Sequence, residues 1–238
     1  MKKQTSITME NNIIQLDAAA ETQRFMVKVY AWMSLALAIT GFTAVFTAGN
    51  ATLFSLIFSQ SWVWIGLIIL EFVLVAYLSI WIAKMSAQRA TIVFILYSVL
   101  NGLTLSIIFL IYTTGSIAST FFVTAGTFAV MSAYGYLTKS DLSKWGNILF
   151  MGLIGIIIAS IVNYFMQSET LYAIITYIGV LIFVALTAYD TQKIKTMNII
   201  GNEGTDEDKK EAIMGALTLY LDFINLFLYL LRLLGRRR

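Results

Sequence analysis

Cysteine, histidine and proline are all missing from the 238 residues. Without cysteine there is no disulfide, no thiol nucleophile and no thiolate metal site. Without histidine the usual proton carrier near neutral pH is gone, so a response near pH 7 falls to perturbed carboxylates or to the amino terminus. The same absence excludes HExxH zinc chemistry and Ser-His dyads. Without proline, helix breaks have to come from glycine or polar residues rather than from a lost backbone donor. Charge is scarce too: 12% of residues are charged and 59% hydrophobic, with a mean hydropathy of +0.80, where soluble domains carry about 25% charged residues.

What is present is a series of long apolar runs. A spanning helix takes about 20 such residues, so the length has room for six or seven spans and no separate soluble domain. Residues 1–23 are polar and mixed in charge, lack the apolar core of a signal peptide, and read as a tail left in the cytoplasm. Beyond them, runs fall at about 29–48, 62–83, 91–112, 117–137, 147–166, 171–190 and 212–234. The predicted fold class is an all-α polytopic membrane protein with seven hydrophobic helices, its single transmembrane domain covering 24–238.

Loop charges set the expected orientation. Lys2, Lys3, Arg24 and Lys28 precede the first run, and the next gap (49–61) carries no charge. The third gap holds Lys84 and Arg89, the fourth none, the fifth Lys139, Asp141 and Lys144, and the sixth only Glu169. Basic gaps alternate with neutral ones, which predicts a cytoplasmic amino terminus. The net charge of +3 therefore needs no nucleic-acid partner. The longest loop, 191–211, is then cytoplasmic, highly charged and expected to be mobile. The tail RLLGRRR is awkward, since a seventh full span puts its arginines outside. A re-entrant hairpin would avoid that, but a 23-residue run without proline or a glycine pair favours a full span.

Small residues mark close helix packing: Ala36, Thr40, Ala44 and Ala48 share one face of the first run, and Gly152 and Gly155 are expected to serve likewise in the fifth. Asn101, Asn163 and Asn225 are expected to hydrogen-bond between helices. Asn50-Ala51-Thr52 matches a glycosylation sequon at close to chance frequency.

Three carboxylates sit in apolar runs: Glu71, Asp190 and Asp222. Burying such a charge costs about 2.5–3.5 kcal/mol on insertion scales, so each should face a partner or an aqueous cavity. Asp190 could be an interfacial residue paired with Lys193 one turn on. Asp222, about 15 Å into its run, could be a protonated group bonded to Asn225 or to a carbonyl. Alternatively the two aspartates, 32 positions apart on adjacent antiparallel helices, could meet. Carboxylates in contact share a proton and titrate as a pair, which makes a proton switch without histidine. Deprotonated, the pair offers hard oxygen ligands suited to calcium. Glu71 wants a cation, and Arg232 could reach inward to it by snorkelling. Lys84 looks too far away and reads as an interfacial anchor.

These residues stand in recognisable motifs: YAWMSLALAITGFTA (30–44), Glu71, NGLTLS (101–106), and above all VALTAYDTQKI (184–194) and LYLDFINLFLYLLRLLG (219–235). In them the chain resembles the bacterial branch of the transmembrane Bax inhibitor motif family. The resemblance implies six helices around a central carboxyl-terminal seventh, and a paired-aspartate pH sensor gating a calcium leak in a bacterial inner membrane. It implies Asp190 and Asp222 as sensor, gate and transient calcium ligands, with Glu71 and Arg232 as a latch. The arginine that contacts the pair from the second helix in some members has no match here, because Lys84 and Arg89 both lie near that helix's inner end.

Three function classes follow. The first is the pH-gated calcium or general cation leak, with calcium as cargo and no cofactor. The second is a non-enzymatic regulator that binds a membrane protease or stress-response complex through the tail or the 191–211 loop. The third is an intramembrane aspartyl protease, which is rejected. Tyr189-Asp190 mimics half of that signature, but YLDFIN stands where GxGD should, and the proline of the PAL motif is impossible here.

Overall fold

The structure, a computed structural model, describes the backbone of residues 2–238 and the side chains of residues 17–238. Most of the tail expected over 1–23, with the docking role expected of it, therefore lies outside the described side chains. Among the described residues the elements are all helical apart from one isolated bridge. α1 (Lys2–Gly49) leads through α2 (Ala51–Phe58) to α3 (Ser61–Trp81), which ends in a 3₁₀ turn, Ile82–Lys84. α4 (Ala87–Leu105) and α5 (Ile108–Ile111) follow, then α6 (Thr114–Leu137), α7 (Ser143–Met166), α8 (Glu169–Met197) and α9 (Asp206–Leu234). Seven helices are long and apolar enough to cross a membrane, beginning with Asp17–Gly49 and ending with Asp206–Leu234. The last run is thus one continuous helix, long enough to cross, and does not fold back.

Polar caps fix where the helices start. Ser86, Thr113, Ser168 and Thr205 each accept the backbone N–H three residues on, at 3.2–3.4 Å, satisfying donors that a helix's first turn leaves free. Asn50, of the sequon, likewise caps α2 by accepting the Leu53 N–H at 3.0 Å.

Two expectations change. The run expected over 91–112 breaks between α4 and α5, where the Ser106 hydroxyl donates to the Leu103 carbonyl at 2.6 Å and offers the chain a local alternative to the helical ladder. The long loop 191–211 shrinks to residues 198–205, because α8 continues to Met197 and α9 starts at Asp206. Thr205 and the acids Asp206, Glu207 and Asp208 form a favourable first turn for α9. The short loop left turns at Gly201 and Gly204, both at positive φ. It is tied down: the Gly201 N–H donates to Glu21 at 2.8 Å and Arg24 pairs with Glu203 at 2.9 Å.

α9 touches α1, α4, α6 and α8, whereas α3 packs on α4 and α7 on α8. Its apolar window is 67% buried, the highest of the seven. Lipid tails are as apolar as leucine, so close packing rather than hydrophobic burial holds such helices together. The small face of α1 does this work, with Ala36, Thr40 and Ala44 buried and Thr40 donating to the Ser98 carbonyl of α4 at 2.9 Å. A β-carbon on Gly102 would fall 2.7 Å from the Thr40 carbonyl, so these backbones nearly touch. Gly152 lies close to Ile182 of α8, while Gly155 faces open space and mediates no approach. Large side chains such as Phe42, Ile80, Phe122 and Phe165 point outward, where lipid surrounds the bundle.

Candidate functional site

Asp190 lies on α8, one turn before the helix passes into its polar end. Its neighbours hold it in place from the α6 side. Thr191 bonds Ser132 of α6 at 2.9 Å, and Ser132 in turn bonds Tyr30 of α1. Gly135 of α6 lets the backbone of Ala188 approach so closely that an added β-carbon would sit 2.2 Å from its carbonyl oxygen. With Thr191 turned toward α6, the preceding residue faces α9. There it meets Asp222.

The two carboxyls are 8% and 5% exposed and lie within hydrogen-bonding reach of each other. Oδ2 of Asp222 is buried and meets no protein N–H or O–H donor among the described residues. Two carboxyl groups in such contact can share one proton, since both are otherwise acceptors only. Neither Lys193 nor Asn225 takes up these carboxyls. Lys193 makes no ion pair with Asp190 but lies over the Tyr189 ring at 6.0 Å. Asn225 donates to the Leu221 carbonyl of its own helix at 2.8 Å.

Both aspartates line a cavity of about 710 Å³ that also receives Glu71, Tyr97, Lys193 and Tyr229. Three carboxyl groups and one ammonium therefore share one space. Glu71, half-buried, accepts from the Thr104 hydroxyl at 2.7 Å and from the Asn101 amide at 3.4 Å. Asn101 also accepts from the Tyr220 hydroxyl at 3.1 Å, and Tyr220 bonds Thr40 at 2.7 Å. This chain of side chains links α3, α4, α9 and α1, and it passes through Tyr220, two positions before Asp222.

The structure does not bring Glu71 and Arg232 together. α3 packs on α4 rather than on α9, and Arg232, near the far end of α9, lies over the rings of Tyr229 at 5.2 Å and Tyr172 at 5.7 Å. Lys84 sits in the turn that ends α3, at the charged end of the bundle. Of the three asparagines, Asn101 bonds between helices, whereas Asn163 accepts the Ser168 N–H and holds the α7–α8 turn. Tyr220 was not singled out in the sequence. Its signal was present, since a tyrosine inside an apolar helix must find a partner for its hydroxyl.

Among the described residues no cluster of three histidine, cysteine, aspartate or glutamate side chains could hold a metal.

A sequence family described as "Inhibitor of apoptosis-promoting Bax1" matches residues 22–238. The chain is 54% identical to the inner membrane protein YbhL of Escherichia coli, covering 96% of this chain and 97% of that one. It is 50% identical to a protein of Borreliella burgdorferi over 90% of this chain and 93% of that one. It is also 46% identical to a protein of Rickettsia prowazekii over 91% of each. A family match that takes in every membrane-crossing helix, both aspartate motifs and the carboxyl-terminal arginines means that the chain belongs to the Bax inhibitor-1 family.

Proposed function

We propose that the protein is a pH-sensitive leak for calcium or related cations, gated by the Asp190–Asp222 pair. The observation that carries this reading is the contact of two buried carboxyls in a cavity whose wall bears a third. With one proton held between them the pair is compact and carries a single negative charge. Losing that proton sets two like charges against each other, roughly 4 kcal/mol for unit charges 4 Å apart at an effective dielectric of 20. The carboxylates then separate or draw in a cation. Either response opens the contact between α8 and α9. Calcium is cargo here, and Asp190 and Asp222 are its transient ligands. The basic loops at the Lys84, Arg89 and Lys139 end support a cytoplasmic amino terminus, and the likeness to an Escherichia coli inner membrane protein supports a bacterial inner membrane.

The test is calcium flux into proteoliposomes across pH, for wild type and for Asp190→Asn and Asp222→Asn. Each variant is expected to lose the pH dependence. Wild-type flux curves in both would remove the gate. Flux absent from wild type at every pH would instead favour the regulator class, in which the protein acts by binding a membrane complex.

A further inference from the structure

The four arginines of RLLGRRR gather at the end of the bundle away from the basic loops, and nothing in the proposed leak uses them. They are not a loose tail. After α9 the Gly235 N–H bonds the Leu231 carbonyl at 2.9 Å, and the chain runs back antiparallel to residues 111–113. The Thr113 N–H donates to the Arg236 carbonyl and the Arg238 N–H to the Ile111 carbonyl, both at 3.0 Å. The Arg236 N–H donates to the Ser116 hydroxyl at 2.7 Å. A β-carbon at position 235 would lie 2.3 Å from the Leu231 carbonyl and 2.7 Å from the Tyr112 ring, so glycine is what lets the strap close.

Extended backbone sends successive side chains to opposite sides. Arg237 is bridged to Tyr112 across the strap, and its guanidinium lies near the hydroxyls of Tyr112 and Tyr172. Arg236 and Arg238 leave the strap on the other side from Arg237, and all three are exposed. The described ion pairs involve Arg24, Lys28 and Lys210 as cations, and none of these four arginines. Against them this end offers Glu169. Trp62, Trp64, Tyr112 and Tyr172 mark the same end, and such aromatics sit at headgroup level. Guanidinium groups held at that depth match phosphate oxygens two at a time.

We propose that this strap, held by its backbone bonds to residues 111–113 and to Ser116, is a binding site for the phosphate of an anionic phospholipid headgroup, with Arg236 and Arg238 as its ligands. A headgroup there would also fasten the end of α9, the helix that carries Asp222.

Native mass spectrometry of the full chain in non-ionic detergent, with phosphatidylglycerol or phosphatidylcholine added, tests this. Wild type is expected to retain phosphatidylglycerol in preference, and Arg236→Gln/Arg238→Gln to lose that preference by on the order of fivefold for each arginine. Lys139→Gln/Lys144→Gln, at the other end, is expected to leave it in place. The single change Arg238→Glu, at an exposed side chain whose backbone bonds remain, gives the same answer without a double substitution. Equal retention of the two lipids by wild type, or undiminished preference in the arginine variants, would overturn the proposal. So would displacement of the lipid by millimolar inorganic phosphate, which would make this a site for the free anion.

Discussion

Lys28 of α1 and Asp208 in the first turn of α9 close an ion pair of 2.7 Å across 180 positions of sequence, with the carboxylate side chain only 2% exposed. Asp208 also accepts the Gly204 N–H at 2.8 Å and stands where the helix dipole favours negative charge. Stranding one partner of a buried pair costs about 3–5 kcal/mol, but the lysine is about a third open to solvent, which screens part of that. Lys28→Gln is expected to lower unfolding stability by roughly 1–3 kcal/mol in detergent thermal melts. Combining it with Asp208→Asn should cost less than the sum of the two single changes. Strict additivity would mean that the pair is not coupled.

Glu203, in the loop beside this pair, should give that end of the bundle an acid limit. Its hydrogen bond to Arg24 is the main reason its carboxyl is held below the ordinary glutamate range, helped by the charges of Arg24 and Lys28 and opposed by loss of hydration and, less, by Asp208. A depressed folded value means that the contribution to stability is fully present above the unfolded value, about 4.3, and is lost as pH falls through the folded one. Amide exchange at Gly201 and Gly204 is therefore expected to be slow near neutral pH and to speed up, after correction for intrinsic rates, below about pH 4. Arg24→Gln should move that onset upward. Protection that ignores both acid and the substitution would show that the ion pair does not hold the loop.

The seven crossings were legible because spanning helices need long apolar runs, a one-dimensional signal that the chain carries without interruption. The pairing of Asp190 with Asp222 was legible for a different reason, since two costly charges on adjacent antiparallel helices have few other places to go. The loop 198–205 was misjudged because charge density says nothing about partners, and Glu21, Arg24 and Lys28 lie about 180 positions away. The link from Glu71 to Tyr220 through Asn101 was out of reach for a similar reason. Which face of α3 meets α4 depends on rotations that an all-apolar helix does not encode in its periodicity. Arg232 was drawn to Glu71 as the available opposite charge, but aromatic faces at the end of α9 compete for a guanidinium, and tyrosines there gave no warning of it.

Gly135 should control Asp190 without touching it. The place a β-carbon would take is filled by the backbone of Ala188, and main chain cannot rotate out of the way as a side-chain tip can. Gly135→Ala is expected to push α6 from α8, lowering stability by about 1–3 kcal/mol as overpacking does, and to disturb pH-dependent flux. Gly126→Ala on the same helix meets nothing within 4 Å, so it should be neutral or slightly stabilising in the same melts. Equal behaviour of the two variants would remove the close approach as the device that positions Asp190.

Glu71 and Arg232 offer the sharpest separation between two accounts of the cavity. If they act as a latch, removing either charge releases the same restraint, so Glu71→Gln and Arg232→Gln should raise calcium flux alike. The structure places Glu71 on the wall of the aspartate cavity, bonded to Thr104 and Asn101, and Arg232 on the rings of Tyr229 and Tyr172. In that arrangement Glu71 supplies negative charge to the space that a cation would cross. Glutamine in its place keeps the shape and removes the charge, so flux at a permissive pH should fall by on the order of tenfold, the effect of about 1.4 kcal/mol in cation occupancy. Arg232→Gln should stay within about twofold of wild type, because its charge is spent on aromatic faces rather than on the carboxylate. Parallel gains in flux from both variants would restore the latch, whereas a fall confined to Glu71→Gln would assign Glu71 to the path of the ion.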